Sequence, residues 1–238
     1  MTDFENLIKF FAGKSYGDLV MPFFELIAIA MGLFFVRKQK LGVFFLAYLA
    51  FDFCMGVCDH YVELSPNFSK QEIFLFVGHT NLLIALVELY IYFYFFSKVL
   101  RNKMVNRLMK IVAAGFTLII IIFTTTRFDF LTERFYYITN LIGVIELLLL
   151  IPPCLIYFHE LFSNDLTVNL YQRPSFWIVT GVFFYAVISV PYYLVDRFLT
   201  DNRSNYSSLM FLLFFSIPFS VNFIFLTKAF LCKRSLTT

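Results

Sequence analysis

Phe74 to Leu100 reads FLFVGHTNLLIALVELYIYFYFFSKVL, long enough to cross a bilayer and broken near its middle by one carboxylate, Glu88. A helix rises about 1.5 Å per residue, so about 20 apolar residues span the hydrocarbon core. An aspartate at that depth costs about 2.5–3.5 kcal/mol on insertion scales, so an acid there is by default a functional hypothesis. With about 100° between successive residues, Asn81, Ile84, Ala85 and Tyr92 fall beside Glu88, while Leu82, Leu83, Leu86 and Phe93 point away. The spacing predicts one face toward a helix bundle and the other toward lipid.

Working outward, 60% of the 238 residues are hydrophobic, 35 are Phe, and only 15% are charged. Soluble domains are about 45–50% apolar and about 25% charged, so the class is integral membrane. Seven apolar spans can be read: Leu19–Phe35, Leu41–Tyr61, the opening stretch, Ile111–Thr125, Phe135–Phe158, Phe176–Val195 and Leu209–Phe230. The prediction is an all-α, seven-helix transmembrane domain covering residues 1–238. Residues 1–17 form an external interfacial segment, with Phe4, Leu7, Ile8 and Phe11 on one helical face. They lack the basic start and small-residue cleavage site of a signal peptide. Residues 231–238 form a short tail. Every loop is short, His159 to Ser175 being the longest on its side, so no soluble catalytic domain is expected and nucleic acid is not an expected partner.

Lys and Arg sort by side. Twelve, including Arg37, Lys38, Lys40, Lys98, Arg101 and Lys103, flank one set of span ends, and seven, mixed with ten acids, flank the other. The richer side is read as cytoplasmic, which puts the C-terminus inside and, with seven spans, the N-terminus outside. Tyr61, Tyr136, Tyr137, Tyr192, Tyr193 and Tyr206 at outer ends and Trp177 at an inner end fit an aromatic belt. The basic turns would meet anionic lipid or a partner protein.

Four acids lie inside spans, Glu25, Asp52, Glu88 and Glu146, and no Lys or Arg lies at their depth. On span two, Tyr48, Asp52, Gly56 and Asp59 share a face; on span six, Gly181, Tyr185, Ser189 and Tyr192 do. Turned inward together, these stripes make an acidic, tyrosine-lined cavity open to the outside, suited to a cation. The ligand-binding candidates are Glu88, Asp52, Glu146, Glu25, Tyr185 and Asn81. The same acids, protonated and hydrogen-bonded to neighbouring helices, could instead be structural. His79 falls opposite Glu88 and is expected to be an interhelical histidine. Span seven has no lysine in its middle, so a retinal Schiff base is not expected, and no cofactor is predicted. With three histidines no H-x-x-x-H zinc pattern forms. Cys54 and Cys58, one turn apart, could hold a soft metal but read better as small apolar residues, so a metal stays open. Pro152-Pro153 is expected to kink span five. The sequons at Asn67, Asn202 and Asn205 matter only in a eukaryotic secretory route.

There is weak internal similarity. FELIAIAMGLFF around Glu25 resembles IELLLLIPPCLIYF around Glu146, and SKVLRNK (97–103) resembles TKAFLCK (227–233). The implied plan is three spans, one linking span and three more, as parallel repeats like those of sugar-exporter-type transporters.

FELIAIAMGLFF with its RKQK turn, HTNLLIALVELYIYFYFF, IELLLLIPPCLIYFHELF and RPSFWIVTGVFFYAVISV together resemble uncharacterised bacterial seven-helix proteins and the membrane input modules of sensor histidine kinases. The resemblance implies a seven-helix bundle in a bacterial inner membrane and a sensing role, and carries over no catalytic residue. The chain has no kinase of its own, so a separate partner is implied. The leading expectation is a receptor or sensor subunit that binds a small cationic or lipidic ligand and signals through a partner. The alternative is a small proton- or cation-coupled transporter using the same acids. An enzyme is not expected, since nothing marks a nucleophile or a complete metal site.

Overall fold

A computed structural model describes residues 16–35, 40–65, 67–125, 133–163, 170–200 and 216–232. Among them no strand occurs, and seven α-helices follow one another. These are α1 (Tyr16–Phe35), α2 (Lys40–Leu64), α3 (Lys70–Val99), α4 (Lys103–Thr125), α5 (Glu133–Ser163), α6 (Pro174–Thr200) and α7 (Ile217–Leu231), with a short 3-10 turn at Leu170–Gln172. Five stretches are long and apolar enough to cross a membrane: Gly42–Glu63, Gln71–Val99, Lys103–Thr125, Ile138–Ser163 and Pro174–Pro191. Met21–Phe35 and Ile217–Leu231 are apolar but shorter. The chain is therefore a helical integral membrane protein.

Tyr16 and Gly17, at the end of the segment read as interfacial, are helical and open α1. The basic residues Lys103, Arg107 and Lys110 lie on the first turns of α4, not in a loop before it, because straight-chain Lys and Arg are good helix formers. The rest of the predicted interfacial segment, Arg37 and Lys38, the sequons at Asn202 and Asn205, Tyr206 and the tail from Lys233 lie outside the described residues.

The start of α3 is encoded locally. Ser69 and Glu72 form a capping box: the Glu72 amide donates to the Ser69 hydroxyl at 3.3 Å, and the Ser69 amide donates to the Glu72 carboxylate at 2.8 Å. The turn from α3 to α4 is held by Asn106, whose amide donates to the carbonyls of Ser97 and Leu100.

Helix neighbours close a ring in the order α1, α2, α3, α5, α6, α7 and back to α1, while α4 packs against α3 from outside. The core fills this ring with aromatic and branched side chains, among them Phe45, Tyr92, Phe95, Phe96, Ile178 and Phe223, all but sealed from solvent. Close packing of such side chains is what holds helices together where lipid is as apolar as the helices themselves.

The two-sided picture of α3 is corrected. Its neighbours are α2, α5 and, behind it, α4, so Leu82 and Phe93 on the supposed lipid face are buried. Asn81 is exposed, not turned to the interior. The wheel of a single helix cannot see α4, which packs against α3; the Tyr90 and Thr117 hydroxyls hydrogen-bond across that seam at 2.9 Å. The outer surface of α4, with Leu118, Ile119, Ile121 and Ile122 exposed, carries the lipid-like face instead. α5 runs as one helix through Pro152 and Pro153. Proline lacks an amide hydrogen, so the carbonyls of Leu148 and Leu149 lose their usual helical donors there.

Candidate functional site

Each of the four acids comes from a different helix of the ring: Glu25 from α1, Asp52 from α2, Glu88 from α3 and Glu146 from α5. Glu25, Glu88 and Glu146 are 7%, 5% and 4% exposed, while Asp52 is only partly buried. Glu25 and Asp52 hydrogen-bond to each other through their carboxyls. A carboxylate only accepts, so that contact needs one proton on the pair. The Tyr48 hydroxyl donates to Glu88. Glu146 lies within electrostatic reach of Glu88 and Asp52, and Tyr185 within reach of Glu88, Glu146 and Asp52. The structure thus brings Glu25, Asp52, Glu88, Glu146 and Tyr185 together and leaves Asn81 outside the group.

Burial without partners sets the chemistry. One oxygen each of Glu25, Glu88 and Glu146 is buried and accepts no hydrogen bond from the described residues. Buried polar atoms are nearly always satisfied, so each exception calls for a reason. The described residues at this depth include no Lys or Arg to supply one. The cluster is rich in acceptor oxygens without donors from the described residues, a composition that matches a donor-rich cation.

One further residue escaped the sequence reading. Asn222 of α7 is 2% exposed, and its Nδ2 donates to the Tyr92 hydroxyl at 3.3 Å. Its Oδ1 is buried and has no partner among the described residues. The signal available was a lone Asn within the apolar run SVNFIF, since such amides tend to bond across helices. Gly181 makes room for it: a β-carbon on Gly181 would stand 2.7 Å from Asn222 Oδ1.

Other expectations resolve as follows. Asp59 stands near Thr80 across the α2–α3 seam, about two turns from Asp52 toward the end of α2, while the Thr80 hydroxyl donates to the Phe76 carbonyl of its own helix at 3.0 Å. His79 is exposed, and its Nδ1 bonds the Leu75 carbonyl of its own helix at 2.7 Å, which makes Nδ1 the protonated nitrogen. Cys54 and Cys58 are exposed free thiols. Among the described residues no three His, Cys, Asp or Glu side chains converge well enough to hold a metal ion. Lys228 sits near the end of α7 with its ammonium 5.9 Å from the Trp177 ring centroid. Trp177 in turn donates Nε1–H to the Tyr171 carbonyl at 3.0 Å.

Compared with known protein families, curated proteins and solved structures, the chain matches none.

Proposed function

We propose that this chain is a seven-span membrane protein that binds a small organic cation in the chamber between Glu25, Asp52, Glu88 and Glu146. The observation that carries the reading is the set of buried, donor-less carboxyl oxygens on three different helices. An ammonium group offers several donors and a positive charge at once. Its alkyl part suits the rings of Tyr48, Tyr92 and Tyr185 around the acids, where faces of aromatic rings attract cations. A ligand with this headgroup serves whether it arrives free or on a lipid. Glu88 is the central acid, held by Tyr48; Glu146, Asp52 and Glu25 flank it.

The topology that goes with this function has α1 and α7 completing the seven spans, the N-terminus outside and the C-terminus in the cytoplasm of a bacterial inner membrane. Two outputs can follow from one such site. In a sensor subunit, ligand binding would shift the helices and be read by a partner protein at the basic cytoplasmic turns around Lys40 and Lys98–Lys110, which also suit anionic lipid. In a carrier, the ligand would leave on the far side. The carrier reading draws on the likeness between SKVLRNK and TKAFLCK at the ends of α3 and α7.

The test is equilibrium binding of methylammonium and tetramethylammonium to the full chain in lipid nanodiscs, followed by isothermal calorimetry. Glu88→Gln keeps the size and removes the charge, and should weaken binding by about tenfold or more, the equivalent of about 1.4 kcal/mol. Equal affinity in the wild type and in amide variants of all four acids would show that the chamber is structural only.

A further inference from the structure

Contacts in one half of the ring have counterparts in the other. Matching SKVLRNK with TKAFLCK makes Tyr92 of α3 and Asn222 of α7 equivalent positions, and these two residues, 130 apart, bond to each other. Equivalent residues touch one another where a two-fold axis passes between them. Matching Glu25 with Glu146, and Tyr48 and Asp52 with Gly181 and Tyr185, pairs neighbouring positions as well. Glu25 bonds Asp52 in the first half, and Glu146 lies within electrostatic reach of Tyr185 in the second. The rings of Tyr48 and Tyr92 lie 6.3 Å apart; their counterparts, Gly181 and Asn222, are in close contact. At the ends of α3 and α7 the matched lysines, Lys98 and Lys228, are both exposed. α4, which has no counterpart, is the helix left outside the ring.

From these correspondences we infer that α1–α3 and α5–α7 are two equivalent three-helix units, joined by α4 and related by a two-fold axis at the Tyr92–Asn222 contact. We infer too that the chain carries its cation across the membrane as the units rock about that contact. This inference rests on the cation chamber proposed above. Carriers built from repeats place their sites at the repeat interface near mid-membrane and expose them alternately by moving one repeat against the other. The four acids are placed for that, three from the first unit and Glu146 from the second. The symmetry is broken among the acids: the counterparts of Asp52 and Glu88 are Tyr185 and Pro218. The first unit therefore supplies most of the charge. Tyr92 and Asn222 join the units by one hydrogen bond, and Gly181 lets α7 approach closely enough to make it.

The experiment uses the full chain in proteoliposomes with radiolabelled methylammonium, alongside binding in nanodiscs. Uptake should saturate, exceed that of protein-free vesicles and vanish in Glu88→Gln. Gly181→Ala, which pushes Asn222 off Tyr92, is a positioning change. It should lower the maximal uptake rate by about tenfold while affecting binding far less, as expected when a buried contact between moving units is lost. In a background with Cys54, Cys58 and Cys232 changed to Ser, the matched and exposed positions are then tested as Lys98→Cys and Lys228→Cys. Both should react with an impermeant thiol reagent from the same membrane face. Binding without uptake overturns carriage and leaves the chamber standing. Absence of binding of methylammonium overturns the chamber and the carriage built on it, whatever the labelling. Reaction from opposite faces, or at neither position, overturns the two-fold relation of parallel units.

Discussion

Glu88 and Gly181 show how much single residues decide here. Glu88 is sealed from solvent on α3 with the Tyr48 hydroxyl on one oxygen and no donor among the described residues on the other, so its amide variant tests charge without changing shape. Gly181 acts through space alone. An added methyl would lie 2.7 Å from Asn222 Oδ1 and 3.0 Å from the Phe225 side chain. Overpacking of this kind typically costs about 1–3 kcal/mol, so Gly181→Ala should also lower the unfolding temperature in detergent. Gly56, whose β-carbon position meets nothing within 4 Å, should accept alanine without that loss. Ser69 is a local case. Ser69→Ala removes the hydroxyl from the α3 capping box and should destabilise the protein by about 1 kcal/mol, measurable as a shifted denaturant midpoint with binding unchanged. The acids and Tyr185 were legible as single letters because a charge in an apolar span is costly anywhere. Asn222 was harder to see, since a neutral amide costs less and stands out less.

Among the elements, α4 has the most independent position. It touches the ring through α3, and the Tyr90–Thr117 hydrogen bond is a polar link in an otherwise apolar seam. Interhelical hydrogen bonds in membranes average about 0.6 kcal/mol, so Tyr90→Phe should cost about that much, read by unfolding in mixed micelles, and should leave methylammonium binding intact. A loss of binding in Tyr90→Phe would mean that α4 is coupled to the chamber after all. The helical wheel of α3 failed for the same element. Periodicity reports which residues share a side but not how many neighbours a helix has, and α3 has three. α5 continues as one helix through its two consecutive prolines, with α3 and α6 packed against it.

For the whole molecule, the arrangement to be tested is the seven-span topology. A reporter fused after Thr238 should be active only in the cytoplasm, and one placed at Asn67 only outside. The same side for both would require an even number of spans between them. A two-unit ring with a linking helix also predicts that the protein works as a single chain. Mixing inactive Glu88→Gln chains with wild type should therefore reduce methylammonium binding in simple proportion, without dominance. Composition alone was enough to decide that the chain belongs in a membrane, because 60% apolar residues cannot be hidden inside a chain of this length. Helical class followed, since a backbone in lipid must bond to itself. The four buried acids were also legible, as isolated charges on apolar stretches. What only the tertiary structure decided is how those helices are ordered: that four acids from separate helices meet, that Asn81 faces away, that α4 stands outside, and that Asn222 reaches Tyr92 from the opposite side of the ring. Helix–helix order depends on contacts between residues far apart in the chain, and the periodicity of one helix contains no term for its neighbours.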